Sequence, residues 1–337
     1  MISSPRPRTS PALAGFFVVV AIWLTGCATP QVGQLAQHWP GDLPQQAMLQ
    51  SVPFFPQEDY QCGPAALAMV LRSAGLTVTP EQLVDQVYVP GRQGSLQTEL
   101  LVAARRQGLP AYVLQPSVAA ILREVAAGHP VLVFQNLGLS ALPVWHYAVV
   151  VGYDRARNQL LLHSGRTERM EMSLFTFERT WARGDHWAMV ALPVSQLPIT
   201  AQADGYAQAI AALERLHAAP ARTAYAAALR QWPSHRVMLL GAGNTAYAMG
   251  DLVAAGAAYA RAVQAHPNFA DAWNNLAQVQ WEQGALHDAA ASVARAVALG
   301  GPRLVDYKAL QQTIVNTKTS AQKATKATQN VRKQLSK

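Results

Sequence analysis

Apolar and polar positions between residues 49 and 193 predict a domain in which helices come first and strands follow. Helical spacing is expected from Cys62 to about Ala74, around "TPEQLVDQV", around "SLQTELLVAARRQG" with Ser95 as its N-cap, and around "SVAAILREVAAG". Short apolar or alternating runs predict strands at "PAYVLQ", "PVLVFQNL", "WHYAVVVGYD", "QLLLHSG" and "HWAMVALP". This order of elements indicates an α+β domain with an antiparallel sheet.

A second pattern begins near residue 206, where the chain becomes Ala-rich and helical and repeats itself. A shift of 34 residues aligns Gly250 with Gly284 and Ala255 with Ala289, which places small residues where paired helices approach each other. The period resembles the tetratricopeptide repeat, and five residues hold its consensus places: Trp273, Leu276, Gly284, Ala289 and Ala296. Three further residues indicate an upstream unit: Tyr225, Ala228 and Pro233. The region 206–302 is therefore expected to form an all-α solenoid that binds a protein partner.

Composition changes again at the ends of these two regions. Residues 194–205 are expected to be a linker, 303–315 a capping helix and 316–337 a disordered basic tail. The net charge is +8, but Arg6 and Arg8 contribute two positive charges and the tail contributes six without any acidic residue. The rest of the chain is therefore close to neutral, which argues against a nucleic-acid-binding protein.

Residues 1–26 have the features of a signal peptide. A positive start precedes the apolar run "AGFFVVVAIWLTG", whose roughly 13 residues fall short of the about 20 that a membrane span needs. The run closes with "LTGC", which closely resembles a bacterial lipobox and implies that Cys27 carries lipid. Ala28 in place of Asp implies, by the same resemblance, the outer membrane facing the periplasm. Residues 27–48 have no period and are expected to form a tether.

Once Cys27 is assigned to the lipid, Cys62 is an unpaired thiol in an exported protein, where cysteines are usually disulfide-bonded or absent. Pro64 suits the first turn of a helix, so the sulfur is expected beside the positive end of the helix dipole. That position predicts a lowered thiol pKa and a nucleophilic cysteine. The alternative is a small buried cysteine with a structural role in the same apolar helix.

A cysteine nucleophile needs an imidazole base and donors for an oxyanion. His146 opens the strand "HYAVVVGYD", and Gln57 precedes Cys62 by five residues. Together, "VPFFPQEDYQCGPAALAMVL" and "HYAVVVGYD" resemble the double-glycine leader peptidases that process bacteriocin precursors, a branch of the papain-like cysteine peptidases. The resemblance covers residues 50–193. It implies a papain-like α+β fold with Cys62 as nucleophile, His146 as base and Gln57 as oxyanion residue. Nothing in the sequence resembles the membrane spans or nucleotide-binding loop of the transporters to which many relatives are fused.

One position departs from that family, whose third residue is an Asp on the strand that follows the base. Here the strand "QLLLHSGR" offers Ser164, which can orient an imidazole by a hydrogen bond but brings no negative charge. A one-residue slip in strand pairing would present His163 instead. A Cys-His-His site resembles the cell-wall peptidases of the cysteine amidase type, although "QCGP" lacks their Asp-Cys-Ser-Gly. Two other carboxylates nearby, Asp154 and Asp185, are more simply interpreted as turn residues.

These features predict an envelope-anchored thiol peptidase that cleaves peptide or protein substrates. The repeats are expected to bind a partner or the substrate, and the lipid to hold the protein on the membrane. A catalytically inactive peptidase-like scaffold is the alternative, because the expected Asp is missing. A cell-wall peptide hydrolase with a Cys-His-His site is a second alternative. Cys62 has no second ligand at a suitable spacing, so neither a metal nor a cofactor is predicted.

Overall fold

The computed structural model describes residues 29–57, 61–92 and 94–335. These residues form two compact units. The sheet unit contains the described residues up to Leu96 together with Val113–Val190, and the repeat unit contains Gln97–Tyr112 and the described residues from Ala191 onward. The predicted signal peptide and Cys27 lie outside the described residues.

The sheet unit is built around a seven-stranded sheet with the order β4-β9-β5-β6-β7-β8, in which β1 also pairs with β6. The strands are β1 (Gln46–Met48), β2 (Tyr88–Val89), β3 (Gly94–Ser95), β4 (Ala111–Val113), β5 (Val131–Asn136), β6 (Trp145–Asp154), β7 (Gln159–Ser164), β8 (Thr167–Ser173) and β9 (Ala188–Ala191). The pairings of β6 with β1, β5 and β7 are antiparallel, as are those of β5 with β9 and of β7 with β8. Strands β2 and β3 form a separate antiparallel pair. The predicted α+β class is confirmed.

Helices accompany these strands in the first half of the chain. They are α1 (Pro30–Gln37), α2 (Cys62–Ser73), α3 (Pro80–Val87), α4 (Gln97–Arg106), α5 (Val118–Ala126) and α6 (Leu174–Ala182), with a 3₁₀ turn at Pro90–Arg92. Thr79 and Gln82 form a capping box at α3, and the Ser117 hydroxyl accepts a hydrogen bond at the start of α5. Ser95, predicted as the N-cap of α4, instead lies in β3 and pairs with Tyr88.

Helix α2 lies at the centre of the sheet unit because it is apolar on every side. Its residues from Gly63 to Leu71 are all buried. The helix packs on β6, which is itself buried from Tyr147 to Tyr153. A helix that is apolar all round has no face for solvent. Its first residue, Cys62, is therefore held close to the sheet.

Strand β6 extends past β7 at the end that carries His146. Its register with β5 reaches the pair Asn136 and Trp145, whereas its register with β7 starts at the pair Val149 and His163. The backbone of β6 before Val149 is therefore left open on the β7 side to partners other than that strand.

The segment predicted as a tether, residues 27–48, belongs to the sheet unit wherever it is described. Helix α1 buries Val32 and Leu35. The carboxylate of Glu178 in α6 accepts the backbone N–H groups of Gln31 (3.0 Å) and Val32 (2.8 Å) at the start of α1. Strand β1 pairs with β6. The tether prediction is therefore wrong here, because two buried apolar residues are too few to give a visible helical period.

The repeat unit consists largely of paired helices. They are α7 (Ala203–Glu214), α8 (Ala218–Gln231), α9 (Arg236–Ala248), α10 (Leu252–Ala265), α11 (Ala270–Glu282), α12 (Leu286–Leu299) and α13 (Leu304–Leu335). Gly250 and Gly284 have positive φ values, 76° and 79°, at the turns inside two of the pairs. A Cβ on Gly241 would lie 2.2 Å from the Tyr225 ring, so a glycine is needed for this close approach. The predicted all-α solenoid is confirmed.

Residues 97–112 group with the repeats, although they lie inside the predicted domain 49–193. The Tyr112 ring packs edge-on against Tyr206 at 5.8 Å, and its hydroxyl accepts a hydrogen bond from the Gln202 N–H (3.0 Å). The region predicted as a linker, 194–205, has no helix or strand before Ala203.

The last helix differs from the prediction of a capping helix followed by a disordered tail. Helix α13 continues without interruption from Leu304 to Leu335. Ile314 is buried, and the Thr317 hydroxyl accepts a hydrogen bond from the Trp281 indole (3.1 Å). The tail contains no Gly or Pro, so its Ala, Lys, Gln and Thr residues do not stop the helix. Within the described ranges, no helix is both long and apolar enough to cross a membrane.

Candidate active site

Cys62 is the first residue of α2 and is half-buried. Burial raises the pKa of the Cys62 thiol, while hydrogen bonds from the backbone N–H groups of Tyr147 and Gly63 act in the opposite direction. Burial has the larger effect. The predicted lowering of this pKa by the helix N-terminus is therefore wrong for the free protein. Removing the thiolate from water destabilises it by more than these hydrogen bonds stabilise it.

His146 is the second residue of β6, and its ring bonds to the end of the next strand. The His146 Nε2 lies 2.9 Å from the Oγ of Ser164, a buried residue that ends β7. Burial lowers the pKa of His146 to about 4, so the ring is neutral at pH 7. The contact with Ser164 orients the imidazole and leaves Nδ1 as the second ring nitrogen.

Gln57 is buried beside the turn that follows Ser164. Its backbone N–H donates to the Gly165 carbonyl (3.0 Å), and its side-chain carbonyl accepts from the Gly165 N–H (3.1 Å). The side-chain amide of Gln57 donates to the carbonyl of Tyr147 (3.4 Å). An amide has two N–H groups, and this contact uses one of them. Gly165 has a φ of 58°, which favours glycine at this turn.

Tyr147 connects these residues and is not among the site residues predicted from the sequence. Its backbone N–H bonds to the sulfur of Cys62, and its backbone carbonyl accepts from Gln57. Its hydroxyl donates to the carbonyl of Ser95 (3.1 Å). Burial and the nearby Cys62 raise the pKa of the Tyr147 phenol. The only signal in the sequence is its position directly after His146, where the backbone faces the open side of β6.

Gly63, the residue after the cysteine, allows β3 to approach the start of α2. A Cβ at this position would lie 2.2 Å from Ser95 Oγ and 2.5 Å from Ser95 Cβ. Glycine is therefore required here for packing, a reason that the sequence pattern "CGP" does not show.

The structure does not bring His163, the predicted alternative third residue, to the His146 ring. Its Nδ1 accepts from the Arg169 N–H (3.2 Å), and its Nε2 donates to the Val52 carbonyl (3.3 Å). Phe54 packs against its ring at 5.3 Å. Neighbouring residues in a strand point to opposite faces, so Ser164 and His163 cannot both face His146. Burial lowers the pKa of His163.

The two other carboxylates lie in turns, away from His146 in the hydrogen-bond network. Asp154 accepts from the Arg157 N–H (3.1 Å) between β6 and β7. Asp185 has a φ of 55° and follows α6, where its N–H donates to the Ala182 carbonyl (3.2 Å).

Tyr147 links the thiol of Cys62 to the strand residue next to it, His146, but the thiol and the imidazole are not joined by a hydrogen bond of their own. Tyr147 follows His146 and bonds to Cys62, yet no hydrogen bond links the Cys62 sulfur to the His146 ring in the part of the chain that is described. Hydrogen bonds of this kind often form only when substrate binds. Both groups are neutral at pH 7, because burial raises the pKa of the thiol and lowers that of the imidazole.

An open groove of about 480 Å³ lies beside the start of α2. It is lined by Phe55, Pro56, Gln61, Ala65, Pro80, Glu81, Val84 and Asp85. The groove includes Gln61, the residue before Cys62, but Cys62 and His146 are not among its lining residues. Among the described residues, no cluster of three or more His, Cys, Asp and Glu side chains could hold a metal ion.

Two family models match the chain, one before and one after about residue 200. Residues 49–186 match the model of the Peptidase_C39 like family, and residues 206–268 and 240–302 each match the model of the tetratricopeptide repeat. A search of curated proteins finds no match.

Solved structures resemble each half separately. The chain is similar to a C39-like peptidase from Bacillus anthracis, with 18% identity and a TM-score of 0.38 over 44% of this chain and 98% of that chain. It is also similar to the peptidase domain of Streptococcus ComA, a bifunctional ABC transporter, with 23% identity and a TM-score of 0.36 over 42% and 98% of the two chains. The chain is also similar to the first tetratricopeptide domain of Spaghetti (RPAP3), which was solved bound to an HSP90 peptide. The identity is 14% and the TM-score 0.29, over 30% of this chain and 80% of that chain.

Proposed function

We propose that this chain, which has a C39-like peptidase domain followed by tetratricopeptide repeats, is a thiol peptidase that cleaves peptide bonds through Cys62 and His146. One observation carries the proposal. The His146 ring is oriented by Ser164 (2.9 Å), and the next residue along β6, Tyr147, bonds to the Cys62 sulfur through its backbone N–H. A base held by a third residue beside a nucleophile is the arrangement that covalent peptide cleavage requires.

The first half of the reaction forms a thioester. His146 takes the proton from the Cys62 thiol as the sulfur attacks the substrate carbonyl carbon. The oxyanion is stabilised by the Gln57 side-chain amide and by the backbone N–H of Cys62. The carbon–nitrogen bond then breaks, and His146 returns the proton to the leaving amine.

The second half of the reaction regenerates the thiol. His146 removes a proton from water, which attacks the thioester carbon. The carbon–sulfur bond breaks, the sulfur recovers a proton from His146, and the acid product leaves. Because Ser164 brings no charge, it stabilises the protonated ring only by accepting a hydrogen bond.

The resting charge state favours proton transfer during attack over a preformed ion pair. The low pKa of His146, about 4, means that the neutral ring is ready to accept a proton at neutral pH. The raised pKa of the Cys62 thiol keeps the sulfur protonated until a substrate carbonyl is present.

The proposal extends to location and partners. Cys27 would carry the lipid that holds the protein on the outer membrane, facing the periplasm. Tetratricopeptide repeats commonly mediate protein–protein interaction, and here the repeats would recruit a protein partner or the substrate.

Labelling of the nucleophile tests the chemistry. Wild type and Cys62→Ala are treated with a peptide that carries a thiol-reactive electrophile, and covalent attachment is measured by mass spectrometry. Attachment to wild type alone is expected. Equal attachment to both proteins would overturn the proposed nucleophile. Attachment is mapped to the peptide that contains residue 62, so that reaction at Cys27 in any unacylated chain is counted separately.

A further inference from the structure

The loop between β5 and β6 exposes an unusual amount of apolar surface. We call this loop together with Trp145, the first residue of β6, the apolar hairpin; these residues, 137–145, have the sequence "LGLSALPVW" and include no charged residue. Its large side chains are exposed as follows: Leu137 42%, Leu139 70%, Leu142 75%, Val144 56% and Trp145 52%. An exposed apolar patch of this kind marks a surface that contacts something other than water.

The apolar hairpin is a folded structure. Asn136 Oδ1 accepts the N–H groups of Gly138 and Val144, both at 2.9 Å. Leu139 and Leu142 form a bridge at the tip, and the Leu142 N–H donates to the Leu139 carbonyl (3.1 Å). A Cβ on Gly138 would lie 2.3 Å from the Leu142 carbonyl, so the turn closes tightly. Several backbone groups of the loop therefore have hydrogen-bond partners within the loop, while its leucine side chains are exposed. A loop that enters the apolar part of a bilayer needs such internal hydrogen bonds, because lipid cannot supply them.

The base of the hairpin is fixed to the sheet beside the candidate site. The Trp145 ring stacks on Phe134, with ring centres 5.1 Å apart and planes 12° apart. Trp145 directly precedes His146 on β6. A half-exposed tryptophan with an anchored ring is typical of a protein surface that meets a membrane interface.

The direction of α1 indicates what covers this hairpin. The residues after α1 lie at the opposite end of the sheet, where Trp39 contacts Tyr153 (6.0 Å) and Arg155 (5.2 Å). The start of α1 contacts the start of α5, where Gln31 Oε1 accepts from the Val118 N–H (2.7 Å). Helix α5 leads into β5, which runs towards the hairpin, so α5 and α1 both begin on the hairpin side.

The start of α1 therefore lies at the end of the sheet that carries the apolar hairpin. Cys27 precedes Pro30 by three residues, which can span no more than about 10 Å. A lipid on Cys27 would hold this end of the sheet unit against the bilayer.

We infer that the apolar hairpin inserts into the interface of the phospholipid bilayer and holds the Cys62–His146 site at the membrane surface. This rests on the lipid anchor of the proposed function. It implies that the peptidase acts on peptide segments that lie at the bilayer, within reach of a site that is fixed there by the lipid and the hairpin together.

A fluorescent probe tests the insertion in the full, mature chain. Leu142→Cys and the control Ala156→Cys, an exposed position in the turn between β6 and β7, are each made with Cys62→Ala and labelled with the environment-sensitive dye NBD. The acylated proteins are placed in vesicles of phosphatidylethanolamine and phosphatidylglycerol. At position 142 the emission should move to shorter wavelength and fall about twofold with nitroxide-labelled acyl chains, as burial of about 5–10 Å requires. At position 156 neither change is expected.

Each other outcome overturns the inference. Mass spectrometry determines whether Cys27 is acylated. If it is acylated and the emission at position 142 is water-like, insertion of the hairpin is rejected and the lipid anchor is retained. If Cys27 carries no acyl groups, the lipid anchor is rejected, and the inference that rests on it is rejected too. A blue shift at 142 that depends on protein concentration and is insensitive to lipid nitroxide assigns the hairpin to contact between copies. Electrophile labelling of the wild-type thiol is measured separately, so loss of the peptidase proposal is distinguishable from all three.

Discussion

The His146 Nε2 lies 2.9 Å from the Ser164 Oγ across neighbouring strands, and the residue after Ser164 holds Gln57 through two hydrogen bonds. The turn between β7 and β8 therefore positions both the proposed base and the proposed oxyanion donor. A displacement of this turn would move the two groups together, which makes Ser164 and Gly165 positioning residues for the site.

Replacement of Ser164 by Ala is expected to slow peptide cleavage about 10- to 150-fold, since a hydrogen bond to a charged group contributes about 1.5–3 kcal/mol. The loss should fall on kcat, because Ser164 steadies the protonated ring formed during the reaction. Steady-state kinetics on a fluorogenic peptide measure it. Ser164→Asp is the informative companion: a carboxylate beside the ring raises the pKa of His146 and should restore activity. Unchanged kcat in Ser164→Ala would contradict the role.

The acid limb of activity should lie near pH 4. Below the pKa of His146, about 4, the ring is protonated and cannot accept the thiol proton. An ordinary histidine would lose activity nearer to about pH 6.5. The measurement is kcat/KM of wild type against pH, with stability checked at each point. A midpoint near that of a free histidine would show that His146 is not the base.

Stability should respond to pH with a definite sign through the same group. Between about pH 4 and 6.5 the unfolded chain binds a proton at His146 that the folded chain does not. The free energy of unfolding should therefore fall as the pH falls through this window. Denaturant unfolding of wild type and His146→Gln measures the effect, and the variant should show a shallower dependence. Parallel curves for the two proteins would contradict the buried neutral ring.

The sequence predicts the helical repeats and the sheet well because both have clear periods. The repeats appear in the sequence as small residues spaced 34 apart. The buried strands appear as apolar runs such as "HYAVVVGYD". Cys62, His146 and Gln57 are recognisable from their types and spacing. Between Ser164 and His163 the sequence leaves the choice open, because the pairing of β7 depends on a register shift next to that strand's end.

Other features depend on distant partners and are therefore invisible in the sequence. Helix α1 forms because Glu178, far along the chain, accepts its first N–H groups. The pKa of the Cys62 thiol is decided by burial against β6, whereas the helix start alone suggested the opposite direction. Tyr147 joins the site mainly through its backbone, which no side-chain pattern reports.

Gln57 should be essential for rate, and two substitutions separate its contacts. Gln57→Glu retains an acceptor for the Gly165 N–H (3.1 Å) but removes the amide donor, while Gln57→Ala removes both. Loss of an oxyanion donor is expected to lower kcat about 10²- to 10³-fold in either variant. Thermal unfolding should be affected more by Ala, because Gly165 then loses its partner. Full activity in Gln57→Glu would exclude the amide as the donor.

His163 should matter for stability and not for chemistry. Its ring bonds to Val52 and Arg169, so His163→Gln is expected to cost about 1–3 kcal/mol in the free energy of unfolding. Electrophile labelling of Cys62 should proceed at the wild-type rate. His146→Gln is the matched control and should slow labelling about 10²- to 10⁴-fold. If the two variants slowed labelling equally, the Cys-His-His alternative would return.

Gly63 and Ser95 should be energetically coupled, because each limits the space of the other. A Cβ on Gly63 would meet Ser95 Oγ at 2.2 Å and Ser95 Cβ at 2.5 Å. Both atoms are close to the backbone of strand β3, so they cannot move away without moving the strand. Gly63→Ala should therefore lower the free energy of unfolding by about 1–3 kcal/mol and slow labelling of the adjacent Cys62. Ser95→Gly removes both atoms and should recover most of the loss in the double variant. Denaturant unfolding of the two single variants and the double variant gives the coupling energy, expected at about 0.5–3 kcal/mol. Additive losses would mean that Gly63 is needed for backbone freedom at the helix start and not for the approach of β3.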